Sequence, residues 1–171
     1  MRKIAIGLAA LTLVVAAAIP ASAAVLLSEG FPYANGNLAP NGGWAIHSGA
    51  GTDIQMTAGR AVVDMAQAPD DNRTFTAQTA TAKTYYCLEV MIPSIVGAPR
   101  LNYFAHLKDT GTINFAGRLG VSPIVGGGWT LAVGSTAFAT PTLWGTPLNF
   151  DQSYRVVVAY DAATGTSQMW I

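Results

Sequence analysis

The 171-residue sequence predicts an all-β antiparallel fold, a sandwich or jelly roll. Three observations lead there. After residue 23, no window repeats apolar positions at helical spacing without meeting Gly, Pro or a Thr cluster. β-Branched and aromatic residues recur instead in short runs. Turn signals separate those runs, among them Asn35-Gly36, Asn41-Gly42-Gly43 and Gly126-Gly127-Gly128, because glycine admits positive φ without a Cβ clash. A hydrophobic content of 51% exceeds what a disordered chain allows.

The first element is a leader. Arg2 and Lys3 precede the apolar run Ile4 to Ile19, and Ala21-Ser22-Ala23 supplies the small residues a signal peptidase needs. The run falls short of the roughly 20 residues that span hydrocarbon, and Pro20 closes it. The expectation is a secretory signal over 1–23, cleaved after Ala23, and a secreted or cell-surface protein. Residues 24–171 then form one domain, with neither repeat nor linker. Strands are expected near 25–28, 44–47, 54–57, 60–65, 84–92, 101–107, 113–121, 129–134, 154–161 and 166–171.

Two hairpins follow from alternation. In the first, Leu101, Tyr103, Ala105 and Leu107 alternate with Asn102, Phe104 and His106. On the return, Ile113, Phe115, Leu119 and Val121 alternate with Asn114, Ala116 and Arg118. Side chains point to opposite faces at each step, so both apolar sets meet only if paired numbers sum to an even value. A three-residue loop, Thr110-Gly111-Thr112, does this by pairing Asp109 with Ile113, with Gly111 as the left-handed residue. The opposite face then gathers Asn102, Phe104, His106, Asn114 and Arg118. The second hairpin runs Tyr154 to Asp161, turns through Thr164-Gly165, and returns over Thr166 to Ile171.

The sequence stops inside an apolar run, Met169-Trp170-Ile171, so a truncated C-terminus with a missing closing strand is expected. The single cysteine, Cys87, cannot form an internal disulfide and is expected to be a small buried side chain.

Phe31-Pro32-Tyr33-Ala34-Asn35-Gly36-Asn37-Leu38, followed by Gly43-Trp44 and His47-Ser48-Gly49, resembles the opening of bacterial secreted domains of the concanavalin A-like lectin/glucanase superfamily. These are laminin-G-like jelly rolls. Tyr154-Arg155-Val156-Val157-Val158-Ala159-Tyr160-Asp161, then Thr164-Gly165 and Met169-Trp170, resembles their closing run. The resemblance implies two curved antiparallel sheets, with ligands on the concave face or at loop ends. It also implies structural roles for Trp44 and Trp170. The superfamily holds enzymes, lectins and structural modules, so the fold does not choose among them.

The residues exclude more chemistry than they offer. Nine basic residues balance nine acidic ones, and loss of Arg2 and Lys3 leaves seven against nine. A nucleic-acid binder needs a basic excess to displace counterions. Retaining glycosidases need two carboxyls roughly 5 Å apart. The only glutamates are Glu29 and Glu89, and Val90-Met91 follows Glu89 where the superfamily's glucanase signature places alternating acids. Glu89 is therefore expected to be a solvated or hydrogen-bonded strand residue. His47 and His106 lack a nucleophile elbow, and His47 is expected in a loop with a structural role. Asp70-Asp71-Asn72 is the one weak pointer to a metal, calcium, which laminin-G-like domains hold in loops; a polar turn after Pro69 is the plainer reading. Asn72-Arg73-Thr74 is formally a glycosylation sequon, discounted for a bacterial-type leader.

Carbohydrate recognition is the positive reading. Sugars are held by aromatic rings against their C–H faces and by planar polar groups at their hydroxyls. The expected ligand-binding set is Asn102, Phe104, His106, Asn114 and Arg118, with Trp129 reaching the rim and Trp144 near it. The expected protein is a non-catalytic module that recognises a glycan or cell-surface component, with no cofactor, no nucleic-acid partner and no membrane span after signal cleavage. A structural or adhesion module without a small ligand, and a divergent polysaccharide-degrading enzyme, stand as alternatives.

Overall fold

A computed structural model describes residues 24–64, 69–95, 101–111, 113–124 and 127–171. The expected leader, 1–23, lies outside them. Twelve strands in antiparallel pairs make the structure almost wholly β: β1 (Gly36–Asn37), β2 (Ala45–Ser48), β3 (Gln55–Thr57), β4 (Arg60–Val62), β5 (Asp70–Asn72), β6 (Lys83–Met91), β7 (Asn102–Lys108), β8 (Phe115–Pro123), β9 (Trp129–Gly134), β10 (Thr142–Leu143), β11 (Ser153–Asp161) and β12 (Thr166–Trp170). No helix among the described residues is long and apolar enough to cross a membrane. Most expected strands are present. The stretch 25–28 is not one; it pairs with no strand and is exposed, Val25 to 84%.

Two sheets enclose the main core. One has the order β10-β9-β8-β7, the other β12-β11-β6. Leu119, Trp129, Leu131 and Val133 from the first meet Val90, Val156 and Val158 from the second, with Leu148 from the chain before β11. The alternation is plainest in β6, which buries or half-buries Thr84, Tyr86, Leu88 and Val90 while exposing Lys83, Tyr85, Cys87, Glu89 and Met91. Nine consecutive pairs align β6 with β11, and five align β11 with β12. The second hairpin forms as expected: Asp161 pairs with Thr166, and Gly165 takes φ +66°.

The first hairpin differs from its expected register. Asn102 pairs with Val121, Tyr103 with Gly120, Leu107 with Ala116 and Lys108 with Phe115, all odd sums; only Ala105 with Leu119 is even. Two offsetting bulges explain this. Phe104 is an extra residue on β7, and Gly117 and Arg118 together oppose His106 on β8. Gly117 adopts φ +55°, a conformation that favours glycine, and its carbonyl accepts a 2.6 Å hydrogen bond from Tyr86 Oη across the sandwich. Burial pushes the Tyr86 phenol above its ordinary pKa. The loop is also longer than expected. Ile113 is 78% exposed, and Gly111 is not left-handed. Asp109 knots the loop by accepting from Gly111 N at 2.7 Å and Asn114 Nδ2 at 2.8 Å. A Cβ on Gly111 would lie 2.9 Å from Asp109 Oδ1, a contact the exposed Asp109 side chain can relieve by moving.

Two smaller sheets, β1-β3-β4 and β2-β5, complete the described structure. The chain before them is fastened by Glu29. Its Oε1 accepts from Phe31 N at 2.7 Å; its Oε2 accepts from Tyr33 Oη at 2.8 Å, Trp44 Nε1 at 3.0 Å and Arg73 Nη1. Phe31 stacks on Trp44 with centroids 6.0 Å apart. Trp44 is therefore structural, as expected. Burial alone would raise the Glu29 pKa, but these donors and the Arg73 charge hold it at about 2.

Glu29→Ala leaves four donors without their acceptor and is expected to cost about 3 kcal/mol, read from urea unfolding. Gly120→Ala is expected to cost about 2 kcal/mol or more in the same assay, because its Cβ would sit 2.3 Å from both Asn102 O and the Phe138 ring.

Candidate functional site

The bulges redistribute the expected ligand-binding set. Phe104 and Ala105 both pack against the core. Tyr103 and Phe115, expected inside, join His106 and Arg118 on the outer side of the four-stranded sheet. There the Arg118 guanidinium lies 4.9 Å from the Tyr103 ring centroid and 4.8 Å from that of Phe115. His106 and Phe115 lie 4.4 Å apart, and Tyr103 meets Phe138 edge-on at 5.6 Å. Phe138 rests over Gly120 and Gly134, whose missing side chains make room for it. Asn114 is tied to Asp109 in the loop, and Asn102 is exposed at the strand start. Trp129 is 0% exposed, edge-on to Tyr154 at 5.8 Å, so it does not reach the rim. Only His106 and Arg118 of the six come together, and they do so among covering rings.

A polar cluster borders them. His47 lies in β2, not in a loop, at an offset between Ile46–Asp71 and Ser48–Asp70 pairing. Asp70-Asp71-Asn72 is strand β5, not a turn. His47 Nε2, both Asp71 carboxylate oxygens, His106 Nδ1 and Arg118 Nε are buried without hydrogen-bond partners among the described residues. Burial, then Asp53 and Asp70, pushes the Asp71 carboxyl up to about 6. Burial pushes His106 below its ordinary value; Asp70 opposes this, while Arg118, His47 and Lys108 add to it. Among the described residues, no three His, Cys, Asp or Glu side chains converge in a way that could hold a metal ion.

The more open surface lies on the other sheet. Cys87, expected buried, is exposed. It shares the outer face with Tyr85 and Glu89 of β6, Arg155 and Val157 of β11, and Gln168 and Trp170 of β12. The register sets Tyr85, Ala159 and Gln168 in one row, Cys87, Val157 and Trp170 in the next, and Glu89 beside Arg155. Tyr85 is 58% and Trp170 46% exposed. Arg155 Nε lies 3.3 Å from Cys87 Sγ, and Lys83 pairs with Asp161 at 3.3 Å. The sequence held a signal for this face. Glu89 belongs in water, and counting back by two from it puts Cys87 and Tyr85 outside.

The charged Asp71 carboxyl disfavours folding above its folded-state pKa of about 6, and this cost disappears as pH falls toward the ordinary 3.8. Asp71→Asn is therefore expected to stabilise the protein at pH 7.5, by about 1 kcal/mol after allowance for solvent screening. The advantage over the parent shrinks to nothing near pH 4, measured by thermal unfolding across that range.

Compared with family models, curated proteins and solved structures, the chain has no match in any of the three.

Proposed function

We propose that the protein is an exported, non-catalytic recognition module of concanavalin A-like jelly-roll type that binds a glycan through the outer face of β12-β11-β6. The observation that carries this reading is the pair Tyr85 and Trp170, two large rings left in water on one sheet face. Rings are normally withdrawn from water, and contiguous apolar exposure marks a binding surface. Planar hydrogen-bonding groups stand among them: the Gln168 amide, the Arg155 guanidinium and the Glu89 carboxylate. Rings for C–H faces and forks for hydroxyls are the two elements a sugar site requires. The face differs from the one the sequence pointed to, because Phe104 and Trp129 serve the core instead.

Trp170→Ala and Tyr85→Ala are each expected to weaken retention on a glycan array about tenfold with an unchanged unfolding midpoint. Phe104→Ala is expected to lower the midpoint instead. Failure of the parent protein to bind any glycan on a broad array transfers the assignment to a structural or adhesion module. Polysaccharide cleavage abolished by Glu89→Gln transfers it to an enzyme.

A further inference from the structure

The seam between β10 and β12 holds an open cleft of about 340 Å³. Thr142 and Leu143 line one side, Trp144 and Val133 lie between, and Ser167, Gln168 and Trp170 line the other. Two of these, Gln168 and Trp170, also belong to the outer face of β12. The cleft and the aromatic face are therefore one surface folded over the edge of the sheet. We infer that the binding track continues from Tyr85 across Trp170 into the β10–β12 cleft, and that its ligand is an uncharged, extended polysaccharide gripped along its chain.

This rests on the glycan reading above and adds length and charge to it. Tyr85 and Trp170 sit two strands and two residues apart, roughly 12 Å by strand geometry. One hexose ring cannot cover both and also enter the cleft. No charged residue lines the cleft. On the open face, Lys83 is paired with Asp161, and Arg155 stands opposite Glu89. A surface so balanced offers nothing to a uronate or sulfate and no cost to a neutral chain. The lining is amphipathic: the Trp144 and Trp170 rings and Leu143 alternate with the Thr142 hydroxyl and the Gln168 amide. Ser167, which lines the cleft, has its hydroxyl oxygen buried without a hydrogen-bond partner among the described residues. Trp144 is held for this role by its backbone N–H to Leu131 O at 2.8 Å, and Thr130 Oγ1 donates to its carbonyl at 2.8 Å.

The test is affinity electrophoresis of the full chain in gels containing laminarin, xylan, dextran or glucomannan, with polygalacturonate and heparin as anionic counterparts. At least one neutral polymer is expected to retard the protein. A hexasaccharide of that polymer is expected to compete at least about tenfold better than its monosaccharide. Thr142→Trp, which fills the cleft from an exposed position, and Leu143→Asp, which charges it, are each expected to abolish that length advantage while thermal unfolding stays unchanged. Equal competition by monosaccharide and hexasaccharide, or retardation only by the anionic polymers, overturns the inference. If Trp170→Ala abolishes retardation but both cleft variants bind the hexasaccharide like the parent, the cleft is refuted and the glycan reading stands. If no polymer retards the parent, both fall together.

Discussion

The ladder between β6 and β11 is the constraint on which the rest of the structure depends. Nine unbroken pairs join segments some seventy residues apart in the chain. With no bulge in the ladder, alternation is strict, and one parity decides both surfaces of the sheet. Tyr86, Leu88, Val90, Val156 and Val158 go to the core side. Tyr85, Cys87, Glu89, Arg155 and Val157 go to the other. A one-residue slip of β11 against β6 would put Val156 and Val158, both 0% exposed, into water and draw Arg155 into the interior. Loss of that much apolar burial, with a charge desolvated, rivals the whole stability of a domain. The outer face is therefore specified as firmly as the core.

The four-stranded sheet takes the opposite course. Its β7–β8 ladder slips and recovers, and the slip turns Tyr103 and Phe115 outward beside Arg118. Those rings do not remain in water, because Phe138 lies over Gly120 and Gly134 and packs against Tyr103. Glycine at both positions gives the ring a floor at backbone level. The Arg118 guanidinium lies against two rings, and its buried Nε has no hydrogen-bond partner among the described residues. The two sheets thus divide the work. One hides its outward rings, and the other leaves Tyr85 and Trp170 in water.

Much of this was legible in the residues. The positions of β6 to β9, β11 and β12 follow from β-branched runs and turn glycines, β10 does not, and the β11–β12 hairpin was readable down to its Gly165 turn. What escaped was the parity of β7 and β8, because counting by two assumes an unbroken strand. Gly117 was the one local hint, since glycine inside a strand marks a bulge or a close approach. Its carbonyl accepts the Tyr86 hydroxyl from the other sheet, a tertiary contact that no local reading contains. Asp70-Asp71-Asn72 escaped for a related reason. The composition reads as a turn, yet pairing with β2 makes it a strand and buries the Asp71 carboxylate. Local propensity is a weak prior where a partner strand satisfies the backbone.

The character of β12 brings these strands of argument together. Sheet edges are commonly guarded by charges, bulges or proline, because an open edge invites unwanted pairing. The edge of the four-stranded sheet at β7 carries Lys108 and a bulge, and the opposite edge of the three-stranded sheet, β6, carries Lys83 and Glu89. Residues Thr166 to Trp170 carry no charge and pair with β11 without a bulge. The strand carries the half-exposed indole of Trp170 and borders the cleft. A charge at Gln168 would guard the edge, but it would stand in the middle of the surface shared by the aromatic face and the cleft. On the glycan reading proposed above, a neutral residue there suits an uncharged chain that crosses it.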